Sequence, residues 1–263
     1  MKGPLPKDSV YRGESPPKKR VRILLYEKVR AMLKYKAFSN SNYLVIPSSC
    51  AGDLATLTAM GVCEHHIYCA DIDKHAIAAA RHKYPNAHYF NGPFWEVFKT
   101  FPSLKNNIGC AFIDLCCPLR AEVFGHVLDI GLHAKVLAFE FKYGREVGGL
   151  LESLQLQENA SDVLKPRLEY VQRVTSRGSY FQAEQSWSYV STSSSHVGSP
   201  MFVSVGRVQH GKPVVNTAYT QIKFTDKEVR DICMHDVSKH RLWNVAESTA
   251  IAWRAHESRG TYR

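Results

Sequence analysis

Apolar and polar positions follow two rhythms along the first half of the chain, and these rhythms predict strands and helices in turn. Short continuous apolar runs are typical of buried strands, and apolar residues at three- and four-residue steps are typical of helices. The predicted strands are 43–47, 66–71, 87–91, 108–115 and 135–141, and the predicted helices are 21–36, 53–61, 74–85, 94–101 and 121–133. This alternation predicts a Rossmann-like α/β fold with a doubly wound, mostly parallel sheet.

The rhythm changes after residue 142. Two helical patterns, at 145–156 and 161–175, precede a predicted antiparallel β-hairpin with strands at 179–191 and 201–208 and a Ser-rich loop at 191–200. Further helical segments follow. The pattern therefore predicts a basic flexible arm over 1–20, a main domain over 21–222 and a small helical unit over 223–263.

Composition narrows the class of protein. At 44% hydrophobic and 22% charged residues the chain is typical of a globular protein, and no apolar run approaches the length of a membrane helix. Neither a signal peptide nor a disulfide framework fits the N-terminus and the seven irregularly spaced cysteines, which favours an intracellular protein, in the cytoplasm or the nucleus. The net charge of +10 favours a polyanion partner, nucleic acid first.

Candidate chemistry lies where the first two predicted strands end. Small residues from Ser48 to Gly52 allow a ligand to approach the backbone, and the next helix offers its N-terminal amides. Asp71 ends the second strand nineteen residues after Gly52, a spacing at which a carboxylate accepts the hydroxyls of a ribose. Asp73 is expected to cap the following helix. A turn or cap role for Asp71, and a tight turn without ligand at 48–52, are the alternatives.

Together these segments resemble the class I S-adenosylmethionine-dependent methyltransferases over about residues 22–210. The most specific piece is ADIDKHAIAAAR at 70–81, which is similar to the family's second motif. In that motif an acidic residue binds the ribose of the methyl donor, so the resemblance implies this role for Asp71. It also implies that a seventh, antiparallel strand follows the sixth, which suits the predicted hairpin.

The resemblance implies a donor site along the strand ends. The residues expected to bind S-adenosylmethionine are Pro47, Ser48, Ser49, Cys50, Gly52, Asp71, Ile72, Gly92, Pro93 and Asp114. Three positions depart from the family's pattern. Pro47 stands where the first motif has an acidic residue, Pro93 stands where an Asp commonly follows the glycine, and the residues after Asp114 do not match the Pro-Pro-aromatic sequence of amino-methylating enzymes.

Asp114, at the exit of the fourth strand, is the best-placed candidate to face the reacting centre, with a turn role as the alternative. Lys142, Glu184 and a lysine of the first helix complete a set that resembles the Lys-Asp-Lys-Glu residues of ribose 2′-O-methyltransferases. The first-helix candidates are Lys28, Lys34 and Lys36. Ordinary surface charges are the alternative for the lysines and the glutamate.

Two cysteine patterns favour structural roles. The order Cys116-Cys117-Pro118 reverses the Pro-Cys nucleophile of cytosine-5 methyltransferases, so buried structural thiols are predicted. The segment CEHHIYC at 63–69 has metal-ligand residue types, but no second pair follows at zinc-finger spacing. No metal site is predicted there.

Both ends of the chain are candidate nucleic-acid contacts. Lys18, Lys19 and Arg20 form a basic cluster that predicts phosphate contacts or a nuclear address, with a solvated tail as the alternative. Residues 223–263 resemble the helix-turn-helix units of phage and plasmid regulators, with Thr249, Arg254 and Arg259 toward a groove or phosphates. A helical extension packed on the main domain is the alternative.

The leading hypothesis is a methyltransferase that uses S-adenosylmethionine to modify a nucleic acid, DNA or RNA, with a combination of parts that resembles viral or plasmid-borne proteins. The first alternative is a catalytically inactive protein of the same fold that binds nucleic acid. A small-molecule methyltransferase or another nucleotide-binding α/β protein is a third reading, which the charge disfavours. The sequence indicates no oligomeric state.

Overall fold

The computed structural model describes residues 16–118, 120–142, 179–193, 196–210 and 220–223. The helices are α1 (Pro16–Leu33), α2 (Tyr35–Ser39), α3 (Gly52–Ala59), α4 (Lys74–Lys83), α5 (Val97–Thr100) and α6 (Ala121–Gly131). The strands are β1 (Asn42–Val45), β2 (Ile67–Asp71), β3 (His88–Asn91), β4 (Ile108–Pro118), β5 (Ala134–Lys142), β6 (Ser179–Ser193), β7 (His196–His210) and β8 (Thr220–Lys223). The predicted helices at 145–156 and 161–175 and the C-terminal unit beyond residue 223 lie outside the described residues.

The strands form one sheet in the order β3-β2-β1-β4-β5-β7-β6-β8. The first five are parallel and follow the Rossmann order 3-2-1-4-5. β7 lies between β5 and β6 and is antiparallel to both, whereas the short β8 pairs with β6 in parallel. The predicted mostly parallel α/β sheet and its terminal antiparallel hairpin are therefore confirmed.

Alternation along the central strands divides the core into two layers, because successive side chains of a strand point to opposite faces. Cys110 and Phe112 of β4 pack on the face covered by α1, α3 and α4. Ala111 and Ile113 pack on the other face, against α5 and α6. All four are buried, and each fully buried large apolar side chain contributes roughly 2 kcal/mol of transfer free energy.

Helix α1 begins at Pro16, five residues before the predicted helix and within the predicted flexible arm. Proline is tolerated in a first helical turn because the N–H that it lacks has no intrahelical partner there. Val21, Leu25 and Val29 recur at four-residue steps and are buried against the sheet, which anchors the helix. Lys18, Lys19 and Arg20 consequently lie on the first turns of a packed helix, and the prediction of an extended arm is wrong for these residues.

The hairpin is longer than its sequence pattern indicated. β6 continues to Ser193 and β7 begins at His196, with Ser193 opposite His196. The predicted loop at 191–200 is therefore mostly strand. Ser-rich segments can continue a ladder because the hydrogen bonds come from the backbone and not from the side chains.

Most other boundaries match within about three residues. The predicted helix at 94–101 divides into a 3₁₀ turn (Phe94–Glu96) and α5. β4 extends to Pro118. Helix α3 ends before Gly61, which adopts a φ of 92° and confirms the predicted C-terminal glycine.

Candidate functional site

Parallel strands bring their carboxyl ends to the same edge of the sheet, and the candidate residues gather at this edge. The β1–α3 loop, Asp71 of β2 and Asp114 of β4 all lie there. Ligands of open α/β sheets bind beyond this edge, near the point where strand order reverses between β1 and β4. We call it the carboxyl edge.

The β1–α3 loop is compact. Ala51 precedes α3 with a φ of 55°, a left-handed conformation that turns the chain directly into the helix. The Ser48 Oγ and Cys50 Sγ atoms lie 2.9 Å apart. Lys83 of α4 donates from Nζ to the carbonyl oxygens of Ser49 and Cys50, each at 3.3 Å. The loop thus presents small side chains and the first amides of α3 toward the carboxyl edge.

Asp71 and Asp73 have separate roles in the turn after β2. The Asp71 Oδ1 atom accepts the Asp73 N–H at 2.8 Å, and the Asp73 Oδ1 atom accepts the His75 N–H at 2.8 Å. The second bond caps α4, which confirms the predicted cap. Burial is the main cause that raises the pKa of Asp71 above its usual value. Ile72, between the two aspartates, is 76% exposed.

The β3 exit lies beside Asp71. The Gly92 N–H donates to the Asp71 backbone carbonyl at 2.9 Å, so the predicted Gly92 and Pro93 positions adjoin the predicted ribose position. A Cβ at Gly92 would come within 2.6 Å of the Phe90 ring, so a larger residue here would require that ring to move. The predicted donor residues at the ends of β1, β2 and β3 are thus neighbours at one edge.

A buried ionic cluster occupies the carboxyl edge beneath β4 and β5. Asp114 ends the α1-facing row of β4, and its register partner Glu140 ends the same row of β5. Lys18 of α1 reaches both, with Nζ 2.5 Å from Asp114 Oδ2 and 3.6 Å from Glu140 Oε1. The Tyr189 hydroxyl of β6 donates to Glu140 Oε1 at 2.6 Å. Four distant parts of the sequence thus meet in one cluster.

A second ion pair adjoins this group. Arg22 lies one helical turn after Lys18 and donates from Nε to Asp53 Oδ1 at 2.7 Å. The Tyr26 hydroxyl donates to the same oxygen at 3.1 Å. Both charged residues are buried, and Asp53 belongs to the first turn of α3. This pair fastens α1 to the helix that follows the β1–α3 loop.

The electrostatics of the cluster follow from burial and charge balance. Burial disfavours the charged form of Lys18, but the carboxylates of Asp114 and Glu140 outweigh it and raise the pKa of Lys18 well above its usual value. Burial likewise opposes ionisation of Asp114, but Lys18 and a thiol hydrogen bond leave its pKa below the usual value. Burial and the neighbouring Asp114 charge raise the pKa of Glu140 to about 7. Of the two carboxyl groups in the cluster, Glu140 is therefore the one that is more easily protonated.

Cys116, predicted to be a buried structural thiol, is partly buried and belongs to this cluster. Its N–H and its Sγ both donate to Asp114 Oδ1, at 3.2 and 3.0 Å. Its φ of 45° lies in the left-handed region, where a bulge interrupts the pairing of β4. Burial raises the pKa of the Cys116 thiol, so it stays protonated and serves as a donor. Cys117 is half-buried.

The predicted Lys-Asp-Lys-Glu set does not assemble around Asp114. Glu184 lies 3.8 Å from Lys28 and 3.9 Å from Arg207, about five residues of β6 below Tyr189 and therefore roughly 16 Å from the carboxyl edge. Lys142 ends β5 opposite Pro118 of β4 and stays close to the edge. The first-helix lysine that reaches Asp114 is Lys18.

Sequence reasoning missed Glu140, Tyr189 and the Arg22–Asp53 pair, and it assigned Lys18 to phosphate contacts. One signal was available. Asp114 and Glu140 occupy the period-two row of their strands that is otherwise apolar, and a charge in such a row needs a partner. Of the remaining predicted contacts, Lys19 and Arg20 are exposed on α1. Thr249, Arg254 and Arg259 lie outside the described residues.

No helix in the part of the chain that the structure describes is long and apolar enough to span a membrane. In the segment 63–69, Cys69 is buried inside β2 whereas Cys63 is exposed. Among the described residues, no group of three or more His, Cys, Asp or Glu side chains is arranged to hold a metal ion.

The sequence matches no protein-family model and no curated protein. Its fold is similar to solved structures at low identity. A candidate RNA methyltransferase from Pyrococcus horikoshii is 9% identical, with a TM-score of 0.45 over 80% of this chain and 94% of that chain. A candidate methyltransferase from Escherichia coli is 10% identical, with a TM-score of 0.42 over 80% and 93%. A candidate rRNA methylase from Clostridium thermocellum is 14% identical, with a TM-score of 0.40 over 65% and 88%.

Proposed function

We propose that this chain is an S-adenosylmethionine-dependent methyltransferase that acts on nucleic acid. The observation that carries the proposal is that two aspartates lie at the same carboxyl edge. Asp71 ends β2 beside the small β1–α3 loop, and Asp114 lies near the end of β4 in contact with a lysine. Asp71 suits contact with the ribose of a nucleotide-like donor, and Asp114, with its lysine, suits contact with the group that receives the methyl.

The residues at the ends of β1 and β2 fit the donor. The Asp71 carboxylate accepts one backbone N–H through Oδ1, and a carboxylate has acceptor capacity left for ribose hydroxyls. The exposed Ile72 offers an apolar surface to a flat base, and the first amides of α3 suit a carboxylate group. Pro47 supplies no acidic side chain, so this function of the family's first motif is absent at that position.

When bound, S-adenosylmethionine supplies an electrophilic methyl group. The chain's own residues then have two tasks, alignment of the nucleophile and acceptance of its proton. The ionised Asp114 holds the Lys18 ammonium at the carboxyl edge, where it can donate a hydrogen bond to an attacking oxygen or nitrogen. Glu140, whose pKa is raised to about 7, is buried beside Lys18 and can receive the released proton by relay through that lysine. Among the predicted residues, Lys142 lies two residues beyond Glu140 on β5, whereas Glu184 contacts Lys28 and Arg207.

Nucleic acid as the substrate class follows from charge. The chain carries a net charge of +10, and Lys19 and Arg20 are exposed on the helix whose inward side carries Lys18 to the carboxyl edge. Phosphates attract such residues without regard to base sequence. A small neutral substrate would not need this charge.

Transfer of a radiolabelled methyl group tests the proposal. The full chain is incubated with labelled S-adenosylmethionine and separate pools of RNA, DNA and small amines or phenols, and the label in each pool is counted. We expect label in RNA or DNA, and at least a hundredfold less with Asp114→Asn, because the Lys18 ammonium loses its charged partner. Label only in small molecules would contradict the substrate class. Binding of nucleic acid with no labelled product in any pool would favour the inactive alternative.

A further inference from the structure

Helix α1 and the α1–α2 turn concentrate positive charge. Residues 16–39 contain eight lysines and arginines and one glutamate, a net charge of +7 against +10 for the whole chain. Three of these cations are held by acidic partners, namely Lys18 and Arg22 in the buried ionic cluster and Lys28 beside Glu184. The other five basic residues are Lys19, Arg20, Arg30, Lys34 and Lys36.

These five residues form one outward-facing set. Lys19, Arg20 and the partly exposed Arg30 lie on the side of α1 that turns away from the core, and Lys34 and Lys36 are exposed just beyond its end, in the α1–α2 turn and in α2. Within the described part of the chain, none of the five makes an ion pair. From Lys19 to Lys34 the set extends about 22 Å along the helix at 1.5 Å per residue.

An exposed aromatic ring lies at the far end of this set. Tyr35 is 69% exposed and stands between Lys34 and Lys36. Lys34 breaks the helix with a φ of 67°, a backbone conformation that non-glycine residues rarely adopt. The turn separates α1 from α2 and leaves the tyrosine ring in solvent. A ring flanked by two ammonium groups can stack on an unpaired base while its neighbours contact phosphates.

One end of this set lies at the carboxyl edge. The first turns of α1 send Lys18 inward to Asp114 and leave Lys19 and Arg20 on the outside. The other end of α1 lies near the opposite edge of the sheet, where Arg207 donates to the Met32 carbonyl at 3.4 Å. A strand bound along α1 would therefore have one end at the candidate catalytic group.

We propose that the outward side of α1 and the α1–α2 turn form a binding track for single-stranded nucleic acid, in which Tyr35 stacks on a base and the five basic residues contact phosphates. The proposal rests on the proposed function, because it gives the substrate of that site a path and a class, an unpaired strand. A duplex fits less well, since its bases are already stacked and cannot cover the tyrosine ring.

Fluorescence anisotropy tests the track with the full chain and no S-adenosylmethionine. The probes are labelled oligonucleotides of about 12 nucleotides, as single-stranded RNA, as single-stranded DNA of the same sequence and as the duplex. The variants are Lys34→Glu, Tyr35→Ala and Tyr35→Phe. Lys105→Glu is the matched control, because Lys105 is an exposed lysine beside the face of the sheet that α5 and α6 cover. Thermal unfolding of each variant verifies that it folds.

We expect Lys34→Glu and Tyr35→Ala each to weaken single-strand binding about tenfold, with little change for Tyr35→Phe and less than twofold for Lys105→Glu. Lys34→Glu is also expected to reduce the slope of log affinity against log salt by about 0.7, the value for one phosphate contact on a single strand. The RNA and DNA probes show which sugar the track prefers.

Three results would overturn the proposal: equal losses for Lys34→Glu and Lys105→Glu, full affinity for Tyr35→Ala, or tighter binding of the duplex than of the single strand. Anionic vesicles that bind where single strands do not would overturn it as well. Titration of S-adenosylmethionine separates this failure from that of the proposed function. If the chain binds the donor but no single strand, only the proposed binding track is contradicted. If it binds the single strand but no donor, only the proposed methyl transfer is contradicted.

Discussion

The Lys18 ammonium lies 2.5 Å from the Asp114 carboxylate, although 96 residues separate the two in the sequence. The contact joins the first turn of α1 to the exit of β4 and is mostly shielded from solvent, with 16% and 7% of the two side chains exposed. Buried charges of this kind persist only when they are paired. The pair therefore links the position of α1 to the charge state of Asp114.

Removal of Lys18 alone should destabilise the folded protein. We expect Lys18→Met to lower the free energy of unfolding by about 3 kcal/mol or more, because Asp114 and Glu140 then remain buried without their shared cation. Urea denaturation measures the change, and Lys19→Met, an exposed neighbour, should change it by less than about 0.5 kcal/mol.

A double-mutant cycle separates the pair from general packing. If Lys18→Met is combined with Asp114→Asn, the loss should be smaller than the sum of the two single losses by at least about 1 kcal/mol. Strict additivity would mean that the two groups do not interact in solution.

The stability of the protein should depend on the ionisation of Glu140. Its folded pKa of about 7 lies above the usual 4.5, so the folded state binds this proton more tightly than the unfolded chain does. The contribution is fully present below about pH 4.5 and is lost as the pH rises toward 7, up to roughly 3 kcal/mol. Lys18, Asp114, Tyr189 and Arg22 are the charged or titratable groups that act on it.

Glu140→Gln isolates this effect, because it keeps the shape of the side chain and removes the titration. Burial lowers the pKa of His66, which makes stability rise with pH in part of the same range, so the quantity to compare is the difference between wild type and variant. That difference should change steadily between pH 4.5 and 7. A constant difference would show that Glu140 has an ordinary pKa.

The Tyr189 hydroxyl should lower the pKa of Glu140. Its hydrogen bond stabilises the ionised carboxylate, so Tyr189→Phe should raise the pKa of Glu140 further and cost about 1–2 kcal/mol of stability. Tyr43→Phe is the matched control, because it also removes a buried hydroxyl, one that donates to the Phe38 carbonyl at 2.7 Å. Both variants should be destabilised, but only Tyr189→Phe should move the pH dependence attributed to Glu140.

Loss of the N-cap of α4 should change the free energy of unfolding by a known amount. Asp73→Ala removes the acceptor for the His75 N–H and should lower the free energy of unfolding by about 1 kcal/mol. Asp73→Asn, which keeps an acceptor oxygen, should restore most of the loss. Equal stability of the alanine variant and wild type would show that the cap is not formed in solution.

The fold could be predicted from the sequence because each element carried its own signal. Apolar runs marked the five parallel strands, and glycine or proline marked where helices ended, as at Gly61. The hairpin's strands were also recognisable, although the extension of β6 to Ser193 was not, since backbone pairing leaves little trace in side-chain polarity. The start of α1 was missed because Pro16 and Pro17 resemble an extended segment as much as a first helical turn.

The site could be predicted only in part. The positions at strand exits follow from topology, so Asp71 and Asp114 were identifiable from the order of elements. The partners of Asp114 were not, because Lys18 and Tyr189 are brought to it by helix packing and by the place of β6 in the sheet. Glu184 was chosen because it completes a set that resembles the Lys-Asp-Lys-Glu residues, and its depth along β6 separates it from Asp114.

Binding of S-adenosylmethionine at the carboxyl edge should depend on Asp71. Isothermal titration calorimetry of the donor into wild type, Asp71→Ala and Asp73→Ala measures this dependence, since both variants remove an aspartate from the same turn. We predict micromolar binding by wild type and Asp73→Ala and at least tenfold weaker binding by Asp71→Ala, as expected for the loss of charge-assisted hydrogen bonds. No binding by wild type at millimolar donor would show that the carboxyl edge is not a donor site, and equal binding by all three proteins would show that Asp71 does not hold the donor.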